Sequence, residues 1–108
     1  MQKTVDFLDR IKAEYLLESD PQLARKLGCS RASIHNLRSE RHFFGDELCF
    51  KVADLLELEP SYILACANFE RSSHKGNYDD ALFWERKVFE FSECDNFAQT
   101  QLSLVFEF

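Results

Sequence analysis

Ser19-Asp-Pro-Gln-Leu-Ala-Arg-Lys-Leu-Gly-Cys-Ser-Arg-Ala-Ser-Ile-His-Asn-Leu-Arg-Ser39 is the stretch on which the reading of this chain turns. Ser19 with Gln22 three residues on matches a capping box, and Pro21 falls in a first turn, where its missing N–H has no helical partner to lose. Gly28 marks a sharp turn at the end of that short helix, and Ser30 is a good N-cap for the next. Leu23, Ala24, Leu27, Ile34 and Leu37 can meet inside the corner. The second helix then presents Arg31, Ala32, Ser33, His35, Asn36 and Arg38 outward. A short helix with a donor-rich outer face, braced by a preceding helix across a tight turn, is the layout of a DNA-reading helix-turn-helix.

Charge distribution agrees with that reading although the total does not. The chain carries −6 over 108 residues, yet residues 21–44 hold five basic side chains (Arg25, Lys26, Arg31, Arg38, Arg41) against Glu40 alone, a local +4. Phosphate responds to the field of the docking face, within a Debye length of roughly 8 Å, more than to the net charge.

On either side of the central stretch the apolar residues recur at helical spacing. Residues 4–17 form a first helix with Val5, Leu8, Ile11 or Lys12, and Tyr15 on one stripe, Phe7 and Leu16 alongside, and Thr4 or Asp6 as cap. After a loop at 40–45, Asp46 can cap a fourth helix bearing Leu48, Cys49, Val52, Ala53, Leu55 and Leu56. Pro60 starts a fifth with Tyr62, Ile63, Cys66 and Phe69 inward. Five helices ending near residue 70 make an all-α domain over 1–70. The polar run 71–77, with Gly76, reads as a linker. Residues 78–108 read as a C-terminal segment: a helix capped by Asn77, with Ala81, Trp84, Val88 and Phe91 on one stripe and Leu82 and Phe89 widening it. A period-two pattern follows (Leu102, Leu104, Phe106, Phe108), read as a short β-strand. A lone strand leaves its backbone groups unpaired, so this segment is expected either to pair with its two-fold mate, which makes Trp84, Val88, Leu102, Leu104 and Phe106 the dimerisation residues and the chain a homodimer, or to be disordered or tuck its Phe side chains against the sixth helix.

The motif Gln22-Leu-Ala-(x)₂-Leu27-Gly28-Cys29-Ser30-(x)₃-Ile34, together with Asp54-Leu-Leu-(x)-Leu58-(x)-Pro60, resembles the lambda-repressor-like (Cro/cI, or XRE) helix-turn-helix family, in its small phage-related branch. The resemblance covers about residues 3–70. It implies that Arg31, Ala32 and Ser33 face base edges, that Asn36 faces bases or the sugar-phosphate, that Gln22 holds a phosphate or braces the first reading residue, that Ser39 and Arg41 hold phosphate, and that Lys26 and Arg38 flank the groove. Independently of it, Arg31 can grip guanine O6 and N7 with two parallel hydrogen bonds, Asn36 can do the same at adenine, and Ala32 offers a methyl to a thymine methyl. The chain departs from the family in two places. Ser39-Glu40-Arg41 stands where glycine often follows the reading helix, and Glu57 stands where glycine often separates the fourth and fifth helices.

The expected function is a sequence-specific transcriptional regulator, a phage or prophage repressor that binds a palindromic operator in double-stranded DNA as a dimer. A second function, from another class, is a phage-encoded protein-binding module or inhibitor that uses the helix-turn-helix as scaffold and meets a protein partner through its C-terminal tail. Catalysis is not expected, because His35, His42 and His74 are scattered and no nucleophile–base spacing or phosphate loop occurs. Cys29, Cys49, Cys66 and Cys94 lack metal-ligand spacing, so neither metal nor cofactor is expected. The N-terminal residues have no signal-peptide pattern and no run reaches membrane-spanning length, which points to the cytoplasm of a bacterial or phage-infected cell.

Overall fold

The structure, a computed structural model, describes the backbone of residues 2–107 and the side chains of residues 2–92. Six helices follow one another: α1 (Thr4–Glu14), α2 (Asp20–Leu27), α3 (Arg31–Arg38), α4 (Asp46–Leu56), α5 (Pro60–His74) and α6 (Tyr78–Glu107). Among the described residues there is no strand. α1 rests on α2, α3 and α4, α4 on α5, and α5 on α6.

The turn chemistry explains where each helix begins and ends. Ser19 Oγ accepts from the Gln22 N–H at 3.4 Å, and Ser30 Oγ accepts from the Ser33 N–H at 3.0 Å. Gly28 closes α2 in the left-handed region (φ 69°), with its N–H and that of Cys29 returned to carbonyls of the last turn. Asn77 caps α6 by accepting from the Asp80 N–H at 3.3 Å while its amide donates to the Asp80 carboxylate at 2.7 Å. At α4 the cap is Gly45, and Asp46 is the first helical residue, favourably placed against the helix dipole. At α1 it is Lys3, whose N–H is taken by the Asp6 carboxylate at 2.9 Å.

The core is built from Phe7, Leu8 and Ile11 of α1, Leu23 and Leu27 of α2, Ile34 and Leu37 of α3, Phe44 from the loop, Cys49 and Val52 of α4, and Ile63 and Cys66 of α5. The buried face of α1 is Thr4–Phe7–Leu8–Ile11: Leu8 and Ile11 of the expected Val5–Leu8–Ile11–Tyr15 stripe are in the core, and Thr4 and Phe7 are buried in place of Val5 and Tyr15. Val5 is half-buried, and Leu16, left-handed at φ 55° after the helix has ended, is 86% exposed. Thr4 occupies a buried position because its N–H and hydroxyl both donate to Glu70 Oε1, so a polar residue there is satisfied.

The C-terminal third differs most from expectation. α5 does not stop near 70. It runs to His74, and the break is confined to the turn at Lys75–Asn77, with Gly76 at φ 75°. The polarity of 70–77 is that of a helix end and a hairpin turn. Residues 63, 65, 66 and 67 are all buried, and positions 63 and 65 point about 200° apart on a helix, because α5 is covered by α4 and by α6. α6 turns Ala81 and Val88 into that contact, with Trp84 and Phe91 packed beside them. Leu82 and Phe89 do not widen the buried stripe; they lie on the outer side at 53% and 57% exposure.

The expected strand is not seen: from 100 to 107 the backbone continues α6. A helix satisfies its N–H and C=O groups within the segment, whereas an isolated strand in a helical chain has none to pair with. The side chains of Leu102, Leu104 and Phe106 lie outside the described residues. Trp84 and Val88, expected at a dimer contact, are committed to the packing of α6 on α5. No helix among the described residues is long and apolar enough to cross a membrane.

Candidate functional site

The candidate surface is the outer face of α3 and the basic side chains around it. α3 is held by Ile34 and Leu37, at 1% and 3% exposure, which are one turn apart and face the core. That anchoring leaves Arg31, Ala32 and His35 exposed and Asn36 half-buried on the other side. Four of the expected base-reading residues thus share the α3 segment, but they are not equivalent. The Ser33 hydroxyl is 3.0 Å from that of Ser30, inside the cap, which takes up part of its hydrogen-bonding capacity.

Several residues expected at the DNA backbone are occupied within the chain. Arg38 Nη1 donates to Asp9 Oδ1 at 2.7 Å and Nη2 to Asp20 Oδ1 at 3.2 Å, while Lys12 reaches the same Asp20 oxygen at 3.3 Å. Burial pushes the Asp20 carboxyl up, but the hydrogen bond and charge of Arg38, followed by those of Lys12, outweigh it and hold the group below its ordinary value. Burial likewise lowers Arg38, and its two carboxylate partners more than reverse this. Arg38 is thus a clamp joining the end of α3 to α1 and to the first residue of α2. The Ser39 hydroxyl donates to His35 O at 2.9 Å, an internal C-cap contact. Gln22 Oε1 accepts from the Glu18 N–H at 2.7 Å, which braces the entry into α2. Lys26 sits 4.2 Å over the ring of Tyr15, whose hydroxyl donates to Leu55 O at 2.7 Å.

Other cations flank α3 at both ends. Near its N-terminus, Arg25, Lys26 and Lys51 line a surface groove beside Gly28, with Asp54 the acidic residue among them. Lys51 comes from α4 and donates to Leu27 O at 3.3 Å, with Glu47 also at 3.3 Å. Beyond the C-terminus of α3, the loop turns back so that the Arg41 and His42 N–H groups both donate to Asn36 O, at 3.0 and 3.3 Å. Arg41 and His42 then line a groove of about 290 Å³ together with Phe43, Arg71, His74 and Lys75. Arg71 is fixed there by Asn68 Oδ1 and by Phe44 O at 2.9 Å, and the His74 ring meets the Phe43 ring edge-on at 5.7 Å. Among the described residues no acidic side chain lines this groove. Glu40 lines the neighbouring one, with Lys3 and Glu70.

Sequence reasoning did not find Lys51, Arg71, His74 or Lys75 for this surface. Lys51 lies on the fourth helix, away from the motif, and the other three sit in what reads as a linker. Arg41 is the one cation of that groove that the local pattern marks. Comparison with known protein families, with curated protein sequences and with solved structures finds no match to this chain.

Proposed function

We propose that the chain is a lambda-repressor-like helix-turn-helix protein: a DNA-binding regulator of the phage-repressor kind that inserts α3 into the major groove and binds a palindromic site as a dimer. The observation that carries this reading is the pairing of an outward α3 face, with Arg31 and Ala32 exposed and Asn36 half-buried beside them, with cationic groups beyond both ends of the helix that bears it. An eight-residue helix is about 12 Å long, comparable to the roughly 12 Å width of the major groove. With α3 in the groove, Arg25, Lys26 and Lys51 lie toward one phosphate strand and Arg41, His42 and Lys75 toward the other. The backbone role expected of Arg38 and Ser39 then falls to these side chains, while Arg38 keeps the reading helix at its angle. Arg31 takes guanine, Asn36 adenine, and Ala32 a thymine methyl.

The left-handed conformations at Glu40 (φ 60°) and Glu57 (φ 55°) occur at the two sites where the family pattern often has glycine. They support the resemblance from geometry, because the backbone turns as a glycine would let it while the sequence supplies glutamate. The test is a titration of the full chain against duplexes selected from a random pool. A symmetric consensus whose affinity falls steeply with salt supports the reading.

A protein-binding module on the same scaffold is the second reading. It is favoured by the exposed apolar side chains of α6 and by the acidic balance outside residues 21–44. Binding through that face would change little with salt, which separates the two.

A further inference from the structure

α6 has a second apolar side that its packing on α5 does not use. Successive helical residues step by about 100°, so with Ala81, Trp84 and Val88 inward, Tyr78, Leu82 and Phe89 align on an outward stripe. Asp79, Phe83, Arg86 and Glu90 run beside it. Tyr78, Leu82, Phe83 and Phe89 are 76%, 53%, 51% and 57% exposed. Single exposed apolar residues are ordinary, but four on one outward side of one helix form a contiguous patch of the kind that marks interaction surfaces.

We propose that this face receives the same face of a second copy of the chain, with the two α6 helices antiparallel about a two-fold axis that passes between Leu82 and Phe83. The occupant follows from the order of charges. Along the seam the sequence reads Asp79, then Leu82 and Phe83, then Arg86: acid, apolar centre, base. When a second copy is reversed about the centre, Leu82 lies against its Phe83, and Asp79 lies against its Arg86 at both ends of the contact. A parallel pair would set acid on acid and base on base. The face is therefore complementary to itself in one orientation only, as an isologous two-fold interface requires. The neighbouring charges are already used: Asp80 is bound to Asn77, and Lys87 pairs with Glu90 at 3.2 Å. Asp79 and Arg86 are exposed and make no ion pair among the described residues.

This pairing supplies the dimer that the DNA-binding reading needs, and it is measured without DNA, so either can fail alone. The experiment is sedimentation equilibrium on the full chain with helicity followed by circular dichroism. The wild type is expected to dimerise. Asp79→Arg and Arg86→Asp are each expected to weaken association about tenfold or more while keeping native helicity, and the double swap to return it to within a few-fold of wild type. Leu82→Asp is expected to give a monomer with an intact helical signal. A wild-type chain that stays monomeric at hundreds of micromolar overturns the proposal. So does association that is indifferent to the single swaps, or a double swap no better than either single one.

Discussion

Arg38, in the last turn of α3, reaches Asp20, the first residue of α2, with Nη2 3.2 Å from Oδ1. Because Arg38 also holds Asp9 and Asp20 also holds Lys12, four side chains fix the angle between the two helices and their support on α1. The arginine reads from sequence as a groove-flanking contact. In the fold it sets the direction in which α3 points.

Arg38→Ala is expected to cost about 1 kcal/mol at pH 7, the upper part of the range for solvent-exposed pairs. The pH dependence follows from Asp20, whose carboxyl is held below its ordinary 3.8. The stabilisation is complete above that value and is lost as pH falls through the lower, folded value. Urea denaturation of wild type and variant should therefore differ at pH 7 and converge as pH falls through that lower value. A constant difference across that range would mean that the guanidinium acts through packing alone.

Glu70 gives the opposite slope. Burial pushes its carboxyl up against the pull of the Thr4 N–H and hydroxyl. The folded state then binds a proton more tightly than the unfolded chain, so its contribution is fully present below the ordinary value of 4.5 and declines as pH rises through the raised one. Glu70→Gln keeps an acceptor for both Thr4 donors and removes the charge. It is expected to raise Tm at pH 7 and to leave it nearly unchanged at pH 4. A lower Tm at pH 7 would show that the charged form is preferred in the fold.

Backbone strain makes a third prediction. Glu57 closes α4 in the left-handed region at φ 55°, a conformation unfavourable for residues with a Cβ by roughly 1 kcal/mol. Glu57→Gly is expected to stabilise by roughly 0.5–1 kcal/mol, a few degrees in Tm. Gly28→Ala is expected to destabilise by about 1–2 kcal/mol, since a Cβ there adds the same strain and comes within 3.3 Å of Lys51 Nζ. Calorimetry of the two variants should move in opposite directions.

These cases also show what the sequence carries. The α2–α3 corner was fully legible, because Ser19, Pro21, Gly28 and Ser30 act through bonds to residues within four positions. Their neighbours Leu23, Leu27, Ile34 and Leu37 could face only inward. The roles of Arg38 and Lys51 were not legible, because each depends on a partner from another helix. The stretch 70–77 misled because a polar helix terminus and a linker have the same composition. The alternation from Leu102 to Phe108 misled because a period-two run names a strand only if a partner strand exists.

The basic groove beyond α3 can be tested by salt. If Arg41 and Lys75 neutralise phosphates, Arg41→Ala with Lys75→Ala should weaken DNA binding about equally on all sequences. It should also reduce the slope of log K against log salt by about 1–2. An unchanged slope would remove the groove from the DNA contact while leaving α3 in it.

The central claim is that α3 reads sequence. It is tested most directly by selecting duplexes from a random pool with the wild type, with Arg31→Ala and with Asn36→Ala, and comparing the enriched sites. The wild type is expected to enrich a two-fold symmetric consensus. Arg31→Ala should relax a guanine position and Asn36→Ala an adenine position, each by about 1–3 kcal/mol of discrimination. No enriched site, or the same consensus and discrimination from all three proteins, would contradict it.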